Sequence, residues 1–425
     1  MNFIAKIASM EFFYFNTQLY VGQNNPGSQQ LAAGSIDLQE WSQNLKTPYY
    51  LYDCDQISRR IEFFKKSMPF IQSQNIHFAV KANHNKKILA LIQKEGLGAD
   101  TVSIGEINRA IACGFAPKDI VFSGVGKSKL EIEKAIDLKI KQINIESFSE
   151  LKRIISVCES KKTTLDIGIR LNPRVGADTH KSISTGGADD KFGVDLSELE
   201  SVKKILKQNE KSVRLQSLSM HIGSNFLKLG EFHDAVRIIE NHYNEFTKEG
   251  FDIVRLDLGG GLGIDYFNYS ISKDEKLIEQ YAFVVKELQE RLPKVQIMLE
   301  PGRVLVARSA ILVTQVQYIK KNGTTWFAVV DSGMNHLIRP ALYEAHHNIW
   351  PLKIRQEDSK IYTVAGPICE STDNLATNVE LRIQEGDLLG ILDCGAYGMS
   401  MASAYNLHEF PVEYFFENGK ISQLA

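Results

Sequence analysis

Short apolar runs alternate with amphipathic stretches between residue 77 and about residue 300 of the chain. Eight of these runs have the length and composition of buried strands; they cover 77–82, 99–102, 120–123, 142–146, 164–171, 214–221, 252–258 and 295–300. The stretches between them that have helical periodicity are 104–113, 129–138, 148–159, 196–208, 231–249 and 276–291. Because strands that alternate with helices pair in parallel, this pattern predicts an α/β fold with a closed (β/α)8 TIM-type barrel.

After Gly302 the pattern changes to strands and turns with little helix. The predicted strands there are 305–318, 325–330, 360–364, 387–392 and 413–416. An aromatic strand at 49–52 precedes the barrel, and we expect it to join the C-terminal strands. We therefore predict three segments, which are an N-terminal extension and strand (1–53), the barrel (54–308) and a β-sandwich or β-barrel domain (309–425).

The composition excludes some classes of partner. Of the 425 residues, 44% are apolar and 24% are charged, as in ordinary globular proteins. The formal charge is −2, so neither nucleic acid nor an anionic membrane surface is an expected partner. The five cysteines are odd in number and lack CxxC spacing, which argues against a disulfide framework and against a zinc site. We expect a reducing, cytoplasmic compartment.

The N-terminal residues carry no convincing targeting signal. Apolar patches up to residue 15 are interrupted by Lys6 and Glu11, and they are too short to span a bilayer. Met10 is an alternative start to Met1. The stretch 37–45 has helical spacing.

Lys81 lies at the end of the first predicted barrel strand, after Phe78-Ala79-Val80. A lone ammonium among apolar side chains is costly unless it is paired or its pKa falls. One interpretation is a lysine that snorkels from the strand end to water. The other is a Schiff-base lysine that holds an aldehyde cofactor, because a desolvated amine is less protonated and therefore nucleophilic.

Barrel enzymes place their active sites at the C-terminal ends of the strands. The residues that stand there are, in strand order, Lys81, Asp100, Ser123, Glu146, Arg170 with Asn172, His221, the glycine run 259–261 and Glu300. Any one of these polar residues could simply meet solvent. Their convergence on one mouth of the barrel indicates an active site.

The glycine run Gly259-Gly260-Gly261 follows the seventh strand. Consecutive glycines let backbone N–H groups turn together toward an anion, and phosphate sites in barrels commonly follow strands 7 and 8. A plain flexible turn is the alternative, whereas a dinucleotide fingerprint would need a surrounding Rossmann unit. After the eighth strand, Glu300-Pro301-Gly302-Arg303 adds a carboxylate and a guanidinium, which could also form only a surface ion pair.

His221 and Ser224 follow the sixth strand. A lone histidine in such a place is often a satisfied core residue, but a flat imidazole beside a phosphate site suits a stacked aromatic cofactor. Ser224 could donate to the phosphate. Pyridoxal 5′-phosphate requires a binding site with four groups. These are a lysine, a glycine nest, a stacking histidine and a carboxylate, here that of Glu300.

Six motifs occur in a fixed order, namely FAVKAN (78–83), HIGS (221–224), DLGGGLG (257–263), EPGR (300–303), GPICES (366–371) and GAYG (395–398). Together they resemble the motifs of the alanine-racemase-type barrel decarboxylases, and most closely those of the diaminopimelate decarboxylases. Further matching stretches are 98–103, 120–127, 172–173, 184–186, 191–193, 331–335 and 338–343. The resemblance runs from about Tyr14 to Ala425.

The resemblance implies roles for individual residues. Lys81 would be the Schiff-base lysine, His221 would stack on the cofactor ring, and Cys369 would be the proton donor. The predicted cofactor site comprises Lys81, Asp100, His221, Ser224, Gly259, Gly260, Gly261, Glu300, Gly302, Arg303 and Tyr397. The predicted substrate site comprises Arg303, Arg339, Tyr343, Glu370 and Tyr397. No metal is expected.

The resemblance also implies a reaction and an assembly. The reaction is the pyridoxal 5′-phosphate-dependent decarboxylation of meso-2,6-diaminopimelate to L-lysine and CO2, the last step of lysine biosynthesis. In that family Cys369 and Glu370 enter the site from the other subunit, which implies a homodimer with shared active sites. Without the motif, the free thiol of Cys369 could equally be a small buried hydrophobe.

Three positions depart from the family pattern. This chain has Thr372-Asp373 where the family has Gly-Asp, and it has His336 where the family often has aspartate. Residues 407–411 stand where the family has an arginine- and proline-rich segment. These departures leave open a decarboxylase of the same fold that acts on a siderophore precursor or a polyamine acid. A racemase would need a second base on the opposite face, and a non-catalytic binder should have lost Lys81 or Cys369.

Overall fold

The computed structural model describes residues 9–15, 17–24, 34–175 and 190–423. The matching stretch 184–186 and the first residue, Met1, therefore lie outside the described residues. The chain divides into two compact units. One, the barrel unit, comprises Ile61–Ile264 and Ser272–Val304; the other, the sheet unit, comprises Met1–Arg60, Asp265–Ile271 and Leu305–Ala425.

The strands are numbered here in chain order. They are β1 Ser9–Phe15, β2 Gln18–Asn24, β3 Ile36–Asp37, β4 Tyr49–Asp53, β5 His77–Ala79, β6 Gly98–Thr101, β7 Ile120–Phe122, β8 Gln142–Ile145, β9 Leu165–Arg170, β10 Val213–Ser219, β11 Arg255–Asp257, β12 Gln296–Met298, β13 Ala310–Asn322, β14 Thr325–Val330, β15 Ile349–Pro351, β16 Lys360–Ala365, β17 Asn374–Leu381, β18 Leu388–Ile391, β19 Val412–Glu417 and β20 Lys420–Gln423.

The α-helices are numbered in the same way. They are α1 Leu38–Trp41, α2 Cys54–Ser67, α3 Lys86–Lys94, α4 Ile104–Ala112, α5 Lys129–Leu138, α6 Phe148–Lys161, α7 Leu199–Gln208, α8 Gly230–Lys248, α9 Ile271–Arg291, α10 Arg303–Val306 and α11 Arg339–Tyr343. Among the described residues, none of these helices is long and apolar enough to cross a lipid bilayer.

The barrel unit contains the eight predicted parallel strands, paired in the order β5 to β12. The sheet closes on itself because the His77 N–H donates to the Leu299 carbonyl (2.7 Å) and the Ala79 N–H donates to the Pro301 carbonyl (3.1 Å). The predicted (β/α)8 architecture is confirmed. Closure brings the C-terminal ends of all eight strands to one mouth, which is what the sequence argument about the site required.

Local sequence signals explain how the barrel helices begin. Ser103, Ser128 and Ser147 are N-caps of α4, α5 and α6, and each accepts a hydrogen bond from a glutamate N–H three residues later. Ser128 and Glu131 form a complete capping box. Such caps satisfy backbone donors that would otherwise lack partners at a helix start, so each turn from strand to helix is specified locally.

The sheet unit contains a nine-stranded sheet in which most neighbours follow the order β17-β16-β14-β13-β4-β19-β20. The strand β4, from the N-terminal part of the chain, pairs with β13 and β19 in this sheet, as predicted. Strand β18 pairs with β13 and β15. A separate three-stranded sheet is formed by β1, β2 and β3. The apolar core of this unit contains Phe12, Leu19, Val21, Leu38, Tyr49, Leu51, Ile311, Val313, Leu352, Leu388, Leu392 and Phe416.

Several predicted elements differ in detail from the structure. The strand predicted at 305–318 begins only at Ala310, because α10 and a 3-10 turn precede it. The helix predicted at 37–45 is broken into the four-residue α1 and a 3-10 turn. Strands β1, β2, β3, β15, β17 and β20 were not predicted. Their apolar positions do not alternate cleanly, so period-two patterning gives no signal for them.

Candidate active site

Lys81 lies one turn beyond its strand. Strand β5 ends at Ala79, and Lys81 is in the 3-10 turn Val80–Ala82, so the predicted strand to residue 82 is too long. The Lys81 Nζ lies 3.1 Å from Asp100 Oδ2, and its side chain is 37% exposed. The ammonium is therefore ion-paired and only partly desolvated, and neither interpretation from the sequence included this carboxylate partner.

Asp100 is the carboxylate of that pair. It lies in β6 with its side chain fully buried. Its Oδ1 has no hydrogen-bond partner among the described residues of the chain. Since a buried carboxylate oxygen without a donor is unfavourable, this atom is a place where a bound molecule could donate a hydrogen bond.

The glycine loop packs too closely for any side chain. A Cβ on Gly259 would collide with the Met220 carbonyl oxygen, and a Cβ on Gly260 would collide with that of Glu300. Gly261 has a φ of +105°, and a Cβ there would overlap the Gly223 carbonyl oxygen. The loop therefore needs glycine for steric reasons, and its backbone can approach a ligand directly.

His221 is held by this glycine loop. Its Nδ1 accepts a hydrogen bond from the Gly260 N–H at 3.1 Å, so the proton of the neutral ring is on Nε2. Desolvation, with smaller contributions from the positive charges of Arg170 and Lys81, lowers the pKa of His221 well below its usual value. The ring is therefore a neutral, flat surface at working pH rather than a cation.

Glu300 and Asp257 form a carboxyl pair after β12 and at the end of β11; Asp257 is fully buried and Glu300 is half-buried. Their side chains hydrogen-bond to each other, which requires that one of them carries a proton. Asp257 Oδ1 also accepts from the Gly259 N–H at 3.0 Å. Burial, with the neighbouring charges of Asp100 and Asp257, raises the pKa of Glu300 well above its usual range. Burial likewise raises the pKa of Asp257 to about 6.

Arg303 and Ser224 meet at the same mouth. The Arg303 Nη2 donates to Ser224 Oγ at 2.8 Å, and Arg303 is almost wholly buried. Beside them, a Cβ on Gly302 would lie 3.0 Å from the Ala79 Cβ and 3.1 Å from the Ala82 Cβ. Gly302 thus lets the end of the last strand pack against the turn that carries Lys81.

Arg170 and Glu146 form a second ion pair at the strand ends. The Arg170 Nη1 lies 3.1 Å from Glu146 Oε1. Glu146 also accepts from the backbone N–H groups of Gly124 (2.9 Å) and Gly193 (3.0 Å). The sequence placed both charged residues at strand ends but gave them no role. The structure shows that Glu146 joins three loops of the mouth.

These residues fit pyridoxal 5′-phosphate. Four features meet at one end of the barrel: an amine with a carboxylate beside it, a neutral imidazole face, a glycine cradle that a Cβ would fill, and a desolvated carboxyl pair. Arg303 and Ser224 add a guanidinium and a hydroxyl, which suit a phosphate. The orphaned oxygen of Asp100 marks the same place as a ligand site.

The sheet unit holds the other predicted substrate residues. Arg339, at the start of α11, is buried, and its Nη1 donates to His347 Nε2 at 2.7 Å. The His347 Nδ1 donates to the Leu392 carbonyl at 2.7 Å, which leaves Nε2 as the acceptor. The Arg339 guanidinium also lies 4.4 Å from the centre of the Tyr266 ring. Tyr343 ends the same helix.

Cys369 and Glu370 are both exposed on a loop between β16 and β17. The Cys369 N–H donates to Asn406 Oδ1 at 3.3 Å, and the Tyr405 hydroxyl donates to Glu370 Oε1 at 2.6 Å. The exposure of Cys369 shows that its thiol is not a small buried hydrophobe. Tyr397, in the GAYG motif, is half-buried and has a φ of +58°.

The comparisons with known proteins identify the family. A family model described as "Pyridoxal-dependent decarboxylase, pyridoxal binding domain" matches residues 54–307. The chain belongs to the pyridoxal-dependent decarboxylases. Two relatives are both called diaminopimelate decarboxylase. The one from Aquifex aeolicus is 38% identical over 92% of each chain. The one from Helicobacter pylori (strain J99) is 41% identical over 91% of this chain and 94% of the relative.

A solved structure of a decarboxylase from this family is also similar. It is the diaminopimelate decarboxylase of Helicobacter pylori complexed with L-lysine, with a TM-score of 0.85 and 39% sequence identity. The match covers 91% of this chain and 95% of that one. The similarity spans both units of the decarboxylase, so the family resemblance inferred from the motifs is confirmed.

Some residues of the site were missed from sequence. Asp257 was seen only as part of the glycine motif, although its position at the end of β11 could have marked it as a neighbour of Glu300. His347, Tyr266 and Tyr405 had no signal, because each lies in a segment without a recognisable motif. Their contacts depend on pairings across the sheet unit.

Proposed function

We propose that this decarboxylase binds pyridoxal 5′-phosphate at the barrel mouth and converts meso-2,6-diaminopimelate into L-lysine and CO2. The observation that supports this most directly is the cluster in which the Lys81 amine, the Asp100 carboxylate, the glycine cradle and the Glu300 carboxyl converge. Relatives that carry the name diaminopimelate decarboxylase, at 38% and 41% identity, support the substrate.

The barrel residues hold and orient the cofactor. Lys81 would bind it covalently, and Asp100, 3.1 Å from the amine, would keep that side chain directed into the mouth. The neutral His221 ring would stack against the cofactor, while Ser224, Arg303 and the glycine N–H groups would hold its phosphate. When bound, pyridoxal 5′-phosphate supplies a conjugated ring that accepts the electron pair left when CO2 departs.

The acid groups of the mouth control protons. Glu300 faces the pyridine nitrogen in this proposal, and its raised pKa means that the cofactor-free chain keeps a proton shared with Asp257. With the cofactor bound, Glu300 would hold a proton at the ring nitrogen through a hydrogen bond, and Asp257 would support Glu300 from behind.

Arg303 of the barrel unit and several residues of the sheet unit would recognise the substrate. A diamino diacid carries both carboxylates and ammonium groups, so its site needs binding groups of opposite charge. Arg339, Arg303 and Tyr343 would bind carboxylates, and Glu370 would bind the distal ammonium. Cys369 would deliver a proton from its thiol to the carbon that loses CO2, a step worth about 10²–10⁴ in rate. Tyr397 would contact the cofactor or the substrate.

We also propose that residues 54–308 form the cofactor-binding segment and that the enzyme is a homodimer. Cys369 and Glu370 of one copy would complete the active site of the other. A cytoplasmic location is part of the proposal, in keeping with the free thiols of Cys54, Cys113, Cys158, Cys369 and Cys394.

The cofactor proposal is tested by locating the bound group. Purified enzyme should absorb near the edge of the visible range, and borohydride reduction followed by peptide mass spectrometry should find the pyridoxyl group on Lys81. Lys81→Ala should abolish the absorbance, whereas Lys86→Ala, at the exposed start of α3, should leave it unchanged. A label on any other lysine would contradict the proposal.

The substrate proposal is tested by CO2 release. The loaded enzyme should decarboxylate meso-diaminopimelate in preference to ornithine, arginine, lysine and carboxynorspermidine, because only diaminopimelate offers a carboxylate and an ammonium at its distal end. Equal or faster release from one of the other amino acids would refute diaminopimelate as the substrate.

A further inference from the structure

A short turn in the sheet unit contacts both residues of the Cys369-Glu370 pair. It is the 3-10 turn Tyr405–Leu407. The Tyr405 hydroxyl donates to Glu370 Oε1 at 2.6 Å, and Asn406 Oδ1 accepts from the Cys369 N–H at 3.3 Å. Two neighbouring side chains of this turn, those of Tyr405 and Asn406, therefore hold two neighbouring residues of the other loop, Glu370 and Cys369.

The backbone of this turn is strained. Asn406 and Leu407 have φ values of +54° and +59°, in the left-handed region that residues other than glycine seldom adopt. Asparagine tolerates this region better than most residues, but leucine does not. Leu407 is 93% exposed, so it gains no packing within this chain that would offset the strain. Strained backbone of this kind clusters at functional sites.

The contacts matter because the loop that they hold is exposed. An exposed carboxylate and an exposed thiol on a loop sample several rotamers unless other groups restrict them. On its other side the loop is anchored by Asp373, whose carboxylate accepts from the N–H groups of Met334 (2.6 Å) and Ile368 (2.7 Å). The Asp373 N–H also donates to the Glu370 carbonyl at 3.1 Å, which fixes the backbone of that residue. None of these contacts of Asp373 holds the Glu370 side chain or the Cys369 N–H, and these are the groups that the Tyr405–Leu407 turn restricts.

We propose that Tyr405 and Asn406 are positioning residues for the reaction: Tyr405 orients the Glu370 carboxylate toward the distal ammonium of the substrate, and Asn406 fixes the backbone that presents the Cys369 thiol. This inference rests on the roles proposed above for Cys369 and Glu370. Only one oxygen of Glu370 is used by Tyr405, so the other can accept from the substrate. Glu370 also raises the pKa of Tyr405, so the phenol stays a donor at neutral pH.

The role of Tyr405 is tested with Tyr405→Phe in the loaded enzyme, which removes only the hydroxyl. Loss of one hydrogen bond to a charged group should raise the KM for diaminopimelate about 3- to 10-fold and leave kcat within about twofold. Tyr318→Phe, at an exposed tyrosine of β13, is the matched control and should change neither constant. In a Glu370→Gln background, Tyr405→Phe should have much less effect, because its partner is altered.

The role of Asn406 is tested with Asn406→Gly, which permits the same backbone conformation and removes the carboxamide. The rate of Cys369 alkylation by iodoacetamide, followed by peptide mass spectrometry, should change at least about threefold, and kcat should fall. Asn378→Gly is the matched control, since Asn378 is also an exposed asparagine with positive φ (+57°) in this unit. It should alter neither the alkylation rate nor kcat.

The outcomes separate this inference from the proposed function. If wild-type enzyme decarboxylates diaminopimelate but Tyr405→Phe keeps its KM and Asn406→Gly keeps its alkylation rate, the positioning role is refuted and the function stands. If wild-type enzyme releases no CO2 from diaminopimelate, the proposed function fails. In that case, a changed alkylation rate in Asn406→Gly would still support the contact by which Asn406 fixes Cys369. An unchanged alkylation rate would refute this role of Asn406.

Discussion

At the scale of single residues, the unusual feature is the pair of desolvated carboxyl groups, Asp257 and Glu300. Both have raised pKa values, mainly because of burial, and for Asp257 the value is about 6. A carboxyl whose pKa is raised on folding binds a proton in the folded state that the unfolded chain releases. The cofactor-free enzyme should therefore lose stability as the pH rises from about 4 through 6.

The first prediction is that Asp257→Asn stabilises the cofactor-free enzyme at pH 8. The amide keeps the hydrogen bond from the Gly259 N–H and can hydrogen-bond to the Glu300 carboxyl, so the desolvated negative charge of the pair is removed. The free energy of unfolding should rise by an amount on the order of 2 kcal/mol at pH 8 and change little at pH 4, where both acids are protonated. Urea denaturation at the two pH values measures this.

The control for this prediction is Asp252→Asn, at an exposed aspartate just before β11. It should shift the unfolding curve little at either pH. Equal stabilities of wild type and Asp257→Asn at pH 8 would show that the charge of the carboxyl pair does not destabilise the folded chain.

At the scale of elements, the loops of the barrel mouth are held by buried polar contacts. Lys127, in the loop between β7 and α5, has a side chain only 1% exposed. Its Nζ donates to the Gly124 carbonyl (2.6 Å), the Asn144 carbonyl (2.7 Å) and Glu150 Oε1 (2.9 Å). One ammonium thus joins the loop to β8 and α6. Because all three of its donors are used, Lys127 is structural and not a second catalytic amine.

The second prediction follows from this arrangement. Lys127→Met should lower the free energy of unfolding by about 3–5 kcal/mol, since the buried Glu150 would lose its counter-charge. Lys129→Met, two residues later, is the comparison: its side chain is 68% exposed and lies 3.8 Å from Glu133. That change should cost no more than about 0.5 kcal/mol. Urea denaturation of both variants distinguishes the two kinds of ion pair, and similar losses would contradict the prediction.

The third prediction concerns the glycine loop as an element. In Gly260→Ala the new Cβ would collide with the Glu300 carbonyl oxygen, so the loop must move away from the end of β12. Phosphate contacts would be lost, and the affinity for pyridoxal 5′-phosphate should fall about 10- to 100-fold. Gly230→Ala, where the Cβ would meet nothing within 4 Å, should bind normally. Cofactor titration followed by absorbance measures both, and unchanged affinity in Gly260→Ala would refute the loop's role.

At the scale of the whole molecule, the proposed residues are divided between two units. Lys81, His221 and Glu300 belong to the barrel unit, whereas Cys369 and Glu370 belong to the sheet unit. The sheet unit also has exposed apolar side chains, including Leu342, Leu407 and Phe410. Such residues on an exposed surface are typical of protein contacts, in keeping with the proposed homodimer.

The fourth prediction is that two inactive variants restore activity when mixed. In a shared site, one heterodimer of Lys81→Ala and Cys369→Ala chains has one intact site and one doubly altered site. About half of randomly paired chains are heterodimers with one working site of two, so the activity should reach about a quarter of wild type. Refolding the chains together and measuring CO2 release tests this. Activity no higher than that of the separate variants would count against shared sites.

Several residues of the candidate site could be located from the sequence, whereas some element boundaries and strands could not. Lys81, His221, Glu300 and the glycine loop were found because each follows an apolar strand, and strand ends are readable from local spacing. The exact end of β5 was wrong by a turn, since boundaries depend on which backbone groups find partners in the neighbouring strand. Strand β17 was missed because its pairing with β16 is irregular, with two shifts in register.

The sequence alone determined the order of strands and helices, the polar residues at the strand ends and the family, because periodicity and motifs are properties of neighbouring residues. Only the tertiary structure decided which side chains meet: Lys81 with Asp100, Asp257 with Glu300, and Tyr405 with Glu370. The members of these pairs lie 19 or more residues apart. Their contacts arise from the pairing of neighbouring barrel strands, β5 with β6 and β11 with β12, and from loop packing in the sheet unit. No local pattern along the chain encodes these pairings.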